Sequence, residues 1–328
     1  MKLCGNTVEA SAPGSMMLLG EHAVLAGKRA LVAAVAPRVH VRLSPRKDNA
    51  LTVTSAVGNA ETSIENLHLP TSLRFVHCAL RLHADRFPTG CDLHIHSDLS
   101  HTQGLGSSAA VTVATLGAVR HWLRLPTHTD CMLQEGVAAV RQAQNGLGSG
   151  ADVAASVAGG LLAFGCVPCP NIVCRFDHFP PIVVLYSGHK TPTPQVIAHM
   201  QKNSAMAQDL SPGNLPSQQR TQCIHIAMDN LVTQALPVCR QQQWSQLGHL
   251  LNQGHELLAD LGVSTPLLDK MANALRTQPT IWGAKISGAG LGDSVLAVGS
   301  SEKTDWPWEQ VNTHITPQGF YVESLHSP

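Results

Sequence analysis

Three stretches of this chain gather glycines, small hydroxyl residues and isolated charges: Ala12 to Ala23, Gln103 to Ala110, and Lys285 to Asp293. The middle stretch contains Gly104-Leu105-Gly106-Ser107-Ser108-Ala109. Glycines remove the Cβ atoms that would hold phosphates away from backbone N–H groups. A helix opening behind them adds unpaired N–H groups and a positive dipole end. Such a loop suits a phosphate, although an ordinary turn has the same composition. No lysine follows the second glycine, so this is not a Walker loop, and Ala109 stands where a Gly-x-Gly-x-x-Gly fingerprint has its third glycine. A further turn, Gly148-Ser149-Gly150, leads to Asp152 ahead of an apolar run. An aspartate there is either a helix N-cap or a carboxylate able to take the proton of an alcohol.

Periodicity and turn residues predict the elements that must hold these groups. β-like runs cover Ala30 to Leu43 and Leu51 to Val57, and the polar turn from Ser44 to Asn49 between them suggests an antiparallel pair. A strand at Cys91 to Ser97, the glycine loop and a helical run from Ala109 to Leu123 follow in that order. Further helices are expected at Met132 to Gln144 and from Val153, and strands at Leu161 to Gly165 and Ile182 to Tyr186. Helical spacing then dominates from Pro192 to Leu261, interrupted by a turn at Ser211-Pro-Gly-Asn-Leu-Pro. The 328 residues suit two packed domains, divided near residue 185 into 1–185 and 186–328.

Composition excludes several classes of protein. With 44% apolar and 13% charged residues the chain is neither disordered nor a charged tail. A formal net charge of zero and 4% aromatic residues remove the footprint of a nucleic-acid binder. No stretch has the length of a membrane span and the start lacks a signal-like run, so a cytoplasmic protein is expected. The nine cysteines form no repeated framework and read as reduced packing thiols. Cys166 and Cys169 lack a second pair to close a zinc site, and His94 and His96, sharing one strand face, are expected to pack.

The three stretches, in this order and spacing, resemble the motifs of the GHMP kinases, a family named for galactokinase, homoserine kinase, mevalonate kinase and phosphomevalonate kinase. Ala12-Pro-Gly-Ser-Met-Met-Leu-Leu-Gly-Glu-His-Ala-Val-Leu is similar to the first motif, Gly104-Leu-Gly-Ser-Ser-Ala-Ala to the second, and Lys285-Ile-Ser-Gly-Ala-Gly-Leu-Gly-Asp to the third. The resemblance spans nearly the whole chain. It implies a two-domain α+β fold with ATP and substrate in the cleft between domains. Gly104, Leu105, Gly106, Ser107, Ser108 and Ala109 would wrap the ATP phosphates, and Ser108 would reach Mg²⁺, which spreads charge between phosphate oxygens. Gly148-Ser-Gly-Ala-Asp-Val-Ala resembles the segment carrying the family's catalytic aspartate, so Asp152 becomes the group that accepts or orients the substrate hydroxyl.

Two positions depart from the family pattern. Ser15 stands where its mevalonate-phosphorylating members usually carry a lysine, and Arg141, eleven residues before Asp152, where they usually carry a magnesium-binding glutamate. Arg141 either takes over the missing lysine's electrostatic role as a second catalytic residue or points to solvent from its helix. Substrate contacts implied by the resemblance are Glu21, His22, Lys190, Thr193, Ser287, Gly288 and Ala289. His22 favours mevalonate, in isoprenoid precursor synthesis, as the hydroxyl acceptor. The segment around Asp152 and the aspartate at position 293 look closer to phosphomevalonate kinases, which keeps that activity as the alternative. A nucleotide-binding protein without catalysis is the other alternative, with retention of Asp152 against it. The expected partner is a small hydroxy acid, with no nucleic acid or membrane, and a homodimer stays open.

Overall fold

An unbroken buried run from Ala10 to Leu19 builds the middle of the larger sheet. In the computed structural model, which describes residues 6–100, 103–206, 217–302 and 305–325, that run is most of β1 (Thr7–Leu19). It pairs antiparallel with β2 (Ala30–Pro45), from Val8 opposite Leu43 to Leu19 opposite Leu31. The first motif is therefore strand as far as Leu19, not loop. β3 (Ala50–Ser55) and β4 (Gly58–Ser63) form a hairpin. After α1 (Arg74–Arg81), strand β5 (Cys91–Ser97) enters between β2 and β3, antiparallel to β2 and parallel to β3.

The two runs expected to pair with each other are thus strands but not partners. The turn residues at 44–49 record a chain reversal, and they carry no information about β5, whose Leu93 and Ile95 fill the intervening core. His94 and His96 lie on the opposite, exposed face of β5, not packed as expected, and His96 reaches Asp98 at 3.2 Å.

Three helices cover this sheet: α2 (Ser107–Trp122), α3 (Thr129–Ala143) and α4 (Ala151–Ala158). Each starts two or three residues ahead of its expected start, because polar first-turn residues such as Ser107, Asp130 and Asp152 do not register in an apolar period. β6 (Leu161–Gly165) pairs with the early half of β2 and with β7 (Asn171–Phe176).

The second sheet begins at β8 (Ile182–Tyr186). α5 (Thr193–Met206), α6 (Ser217–Arg240), α7 (Trp244–Asp260) and α8 (Pro266–Arg276) follow, and the turn expected at 211–216 lies outside the described residues. β9 (Ile281–Ser287), β10 (Ser294–Gly299) and β11 (Glu309–Val311) complete the antiparallel order β11-β8-β10-β9. β12 (Tyr321–Leu325) returns to pair with β1 at the edge of the first sheet. Leu185, Leu258, Leu268, Met271, Ile286 and Val295 lie in a core of their own, separate from the one under the first sheet. The other face of the second sheet, with Val184, Leu296 and Val298, joins the core of the first. Two sheets with their helices are the α+β architecture expected from the sequence.

Candidate active site

The glycine loop lies directly on β1. A Cβ on Gly14 would sit 2.5 Å from the Leu105 carbonyl, so glycine is what lets the two backbones meet, and the Ser15 N–H donates to that carbonyl at 3.0 Å. Gly106 holds φ at 67°, a region that favours glycine, and a Cβ there would fall 1.9 Å from Ser15 Oγ. The chain then turns straight into α2, whose N-terminus carries no side-chain cap. Its first N–H groups are therefore left for an anion. Gly104, Gly106, Ser107 and Ser108 keep partial exposure, whereas the side chains of Leu105 and Ala109 are buried. Those two can offer only backbone groups.

α4 begins behind Gly150 at φ 95°, and its first N–H, that of Ala151, donates to Ser149 Oγ at 3.2 Å. Asp152 is the second residue of that helix, and its Oδ1 accepts a hydrogen bond from Ser15 Oγ at 2.8 Å. The carboxylate faces β1, so the N-cap reading does not describe it. Buried Ser156, one turn further on, donates to the Pro13 carbonyl at 2.8 Å and fixes α4 against the same strand. Burial pushes the Asp152 carboxyl above the usual carboxylate range, while the Ser15 hydrogen bond and the charge of Lys190 pull it down. Arg141 is placed elsewhere: its Nε donates to Gly148 O at 3.1 Å and its Nη2 to Ser149 O at 3.4 Å. It grips the turn that delivers Asp152.

The loop between β9 and β10 closes the site from the other sheet. Asp293 there adopts φ 65° and is 4% exposed. Its N–H donates to His189 O at 2.8 Å, its carbonyl accepts from Ser187 N at 3.0 Å, and Thr191 Oγ1 donates to Leu291 O at 2.8 Å. The Lys190 loop is thereby clamped to the Asp293 loop. Burial raises the Asp293 carboxyl to about 6, against the opposing effects of Lys190 and an Ala289 N–H hydrogen bond. A Cβ on Gly104 would sit 3.2 Å from the Asp293 carboxylate, so the second and third motifs touch at that side chain.

A buried ion pair joins the first motif to the third. Lys285 Nζ, fully buried, donates to Glu21 Oε1 and to the Ile286 carbonyl. Burial lowers the Lys285 pKa and raises that of Glu21, and each partner's charge opposes the shift of the other. His22 Nε2 meets Ala289 O at 2.8 Å. A carbonyl only accepts, so Nε2 carries the proton and Nδ1 is the acceptor. Burial keeps this imidazole below the usual histidine range and hence neutral. Ser287 Oγ donates to Met17 O at 2.9 Å, tying β9 to β1. Gly288 packs on Asp293, Lys190 is exposed, and Thr193 opens α5 half-buried.

Sequence reasoning singled out most of these positions. It missed the side-chain contacts of Ser15, the placement of Asp293 and the pairing of Lys285. A lone lysine in the otherwise apolar strand Ile281–Ser287 was a readable signal for a buried ion pair.

The residues present suit a nucleotide triphosphate with Mg²⁺. The uncapped N-terminus of α2, the Ser108 hydroxyl, the Asp152 carboxylate and the unpartnered Oδ1 of Asp293 supply N–H and hard oxygen groups. Among the described residues no three His, Cys, Asp or Glu side chains gather to hold a metal by themselves.

Known proteins resemble this chain in sequence and in fold. The model of the GHMP kinases N-terminal domain matches residues 74–160, and that of the GHMP kinases C-terminal matches residues 235–305. The chain is 32% identical over 337 residues to a mevalonate kinase of Thermococcus onnurineus (strain NA1), a match covering 95% of this chain and 93% of the relative. It superposes with a TM-score of 0.76 on the mevalonate kinase of Methanococcus jannaschii at 20% identity, covering 94% of this chain and 98% of that one. The galactokinase of Lactococcus lactis complexed with galactose superposes with a TM-score of 0.78 at 17% identity, covering 97% and 95%. Those structures share the fold under names that specify different substrates. The sequence likeness runs through both matched segments and the stretches between them, and on that ground the chain belongs to the GHMP kinase family.

Proposed function

We propose that this protein transfers the γ-phosphoryl group of ATP to a hydroxyl of mevalonate. The observation that carries the reading is the Asp152 carboxylate, turned away from capping its own helix and held by Ser15 beside the glycine loop. The α2 N-terminus and the backbone of the loop bind and orient the phosphates. Asp152 accepts the hydroxyl proton as the oxygen bonds to the γ-phosphorus and the bond from that phosphorus to the departing ADP breaks, and its burial-raised pKa makes it a better acceptor than an exposed aspartate. Bound Mg²⁺ supplies charge neutralisation between phosphate oxygens, with Ser108 as a protein oxygen toward it. Lys190 supplies a positive charge acting on both Asp152 and Asp293.

Curated relatives named mevalonate kinase, alike over most of their length, support the choice of substrate. So does His22: neutral, with Nδ1 as acceptor, it is matched to a hydroxyl and mismatched to a second phosphate. Glu21 fits a supporting role through Lys285, and Arg141 a positioning role through the 148–149 turn. The division into two domains belongs to the same proposal, supported by the start of the second sheet at β8. Since β8 runs from Ile182 to Tyr186, the division belongs just before that strand and not at residue 185 within it, and β12 rejoins the first sheet. In this reading the protein works in the cytoplasm on a small hydroxy acid without nucleic acid, and a homodimer is compatible with it. No helix among the described residues is long and apolar enough to cross a membrane.

ADP release measured with mevalonate, phosphomevalonate and simpler hydroxy acids tests the reading. Mevalonate is expected to give the highest kcat/KM. Preference for phosphomevalonate would transfer the assignment to that reaction, and nucleotide binding without turnover on any alcohol would leave a binding protein.

A further inference from the structure

Asp293 is the buried charge in this site that its surroundings do not account for. Its Oδ1 has no hydrogen-bond partner although the residue is 4% exposed. Among the described residues, what resists burial of this carboxyl is the charge of the exposed Lys190, a hydrogen bond from the Ala289 N–H and a smaller contribution from His189. Leaving a carboxylate oxygen buried and unmatched is costly unless a cation or donor arrives from outside the chain. The backbone around it is held firmly on both sides, by Ser187 and His189, so the side chain cannot readily swing out to water. What it faces is the glycine loop, with the Gly104 Cβ position 3.2 Å from Oδ1.

We propose that Asp293 is an oxygen ligand, direct or through one water, for the divalent cation that accompanies the nucleotide. This rests on the kinase reading above and names a carboxylate for its metal. The need for one is visible in the site. Arg141, on α3, spends its guanidinium on the Gly148 and Ser149 carbonyls and offers no oxygen to a metal. Asp152 has its Oδ1 engaged by Ser15. The loop of the opposite sheet then contributes the second acid, against the start of the phosphate loop and within the field of the same Lys190. Hard carboxylate oxygens with few protein partners are what Mg²⁺ takes when it is shared with phosphates. Asp293 also joins the two halves of the site, since a metal held there ties the third motif to the nucleotide on the second.

Calorimetric binding of ADP, with and without Mg²⁺, to wild type and Asp293→Asn separates the possibilities. Asparagine accepts the left-handed backbone that this position requires, and Asp293→Gly, equally at home there, serves if the first variant unfolds. In wild type, Mg²⁺ is expected to tighten ADP binding. In the variant that gain should fall by at least about tenfold, as for loss of a metal-supporting group. Metal-free ADP should bind as well as before or more tightly, because an anion beside the phosphates has gone. A variant that keeps the full Mg²⁺ gain overturns the inference, and so does one that loses metal-free affinity to the same degree, which would mean a carboxyl donating to phosphate. Wild type binding ADP equally with and without Mg²⁺ overturns it while leaving nucleotide binding intact. Failure of wild type to bind ADP at all overturns the kinase reading and this inference together.

Discussion

Ser15 on β1 donates its hydroxyl to Asp152 on α4 at 2.8 Å, in the position where family members that phosphorylate mevalonate usually place a lysine. A neutral donor holds the carboxylate in place without adding charge, and the site's cation comes instead from Lys190 on the opposite loop. The loop is glycine opposite this serine for a steric reason, because a Cβ on Gly106 would fall 1.9 Å from Ser15 Oγ.

Ser15→Ala should therefore move the pH dependence of turnover in a defined direction. The hydrogen bond favours the ionised carboxylate, so its loss raises the Asp152 pKa further. If turnover needs the ionised form, the acid limb of the kcat profile shifts to higher pH. An unmoved limb, or one shifted downward, would mean that Ser15 does not act on the group that titrates.

Lys285 and Glu21 make a stability prediction independent of catalysis. Lys285→Met leaves the Glu21 carboxylate buried without its partner, and urea unfolding should show a loss of about 3–5 kcal/mol. Glu21→Gln combined with Lys285→Met should recover a large part of that loss, since no unpaired charge is then buried. Equal losses in the single and double variants would refute pairing as the source.

Arg141→Ala tests positioning through the turn. Without donors to the Gly148 and Ser149 carbonyls, the segment leading to Asp152 loosens. Turnover should fall while the acid limb of the pH profile stays in place, because Lys190 and Ser15 remain the groups acting on the carboxylate. Movement of that limb would give Arg141 an electrostatic role instead.

The chemistry of this site was legible where composition alone carries it. Glycines and serines ahead of an apolar helical run announced the phosphate loop, and Gly148-Ser-Gly announced the turn before Asp152. Partners distant in sequence were not legible. β5 separates β2 from β3, which are joined by an inviting turn, because strand neighbours are chosen by the packing of Leu93 and Ile95 and not by local reversal. Arg141 invited an electrostatic role by its spacing from Asp152, yet spacing along a helix does not say that a guanidinium will bend back onto two carbonyls of the next turn. Asp293 was visible as a letter in a motif, and only the fold shows that its carboxylate is buried against Gly104.

Turnover of Asp152→Asn with ATP and mevalonate tests the account at its centre. Asparagine keeps the size of the side chain and removes its charge and basicity, and the helix N-terminus does not depend on this residue for a cap. The account predicts that kcat falls by roughly 10²–10⁴-fold, the span of a general acid–base group, with ADP affinity and unfolding midpoint little changed. Turnover within a few-fold of wild type in a folded, nucleotide-binding variant would contradict it.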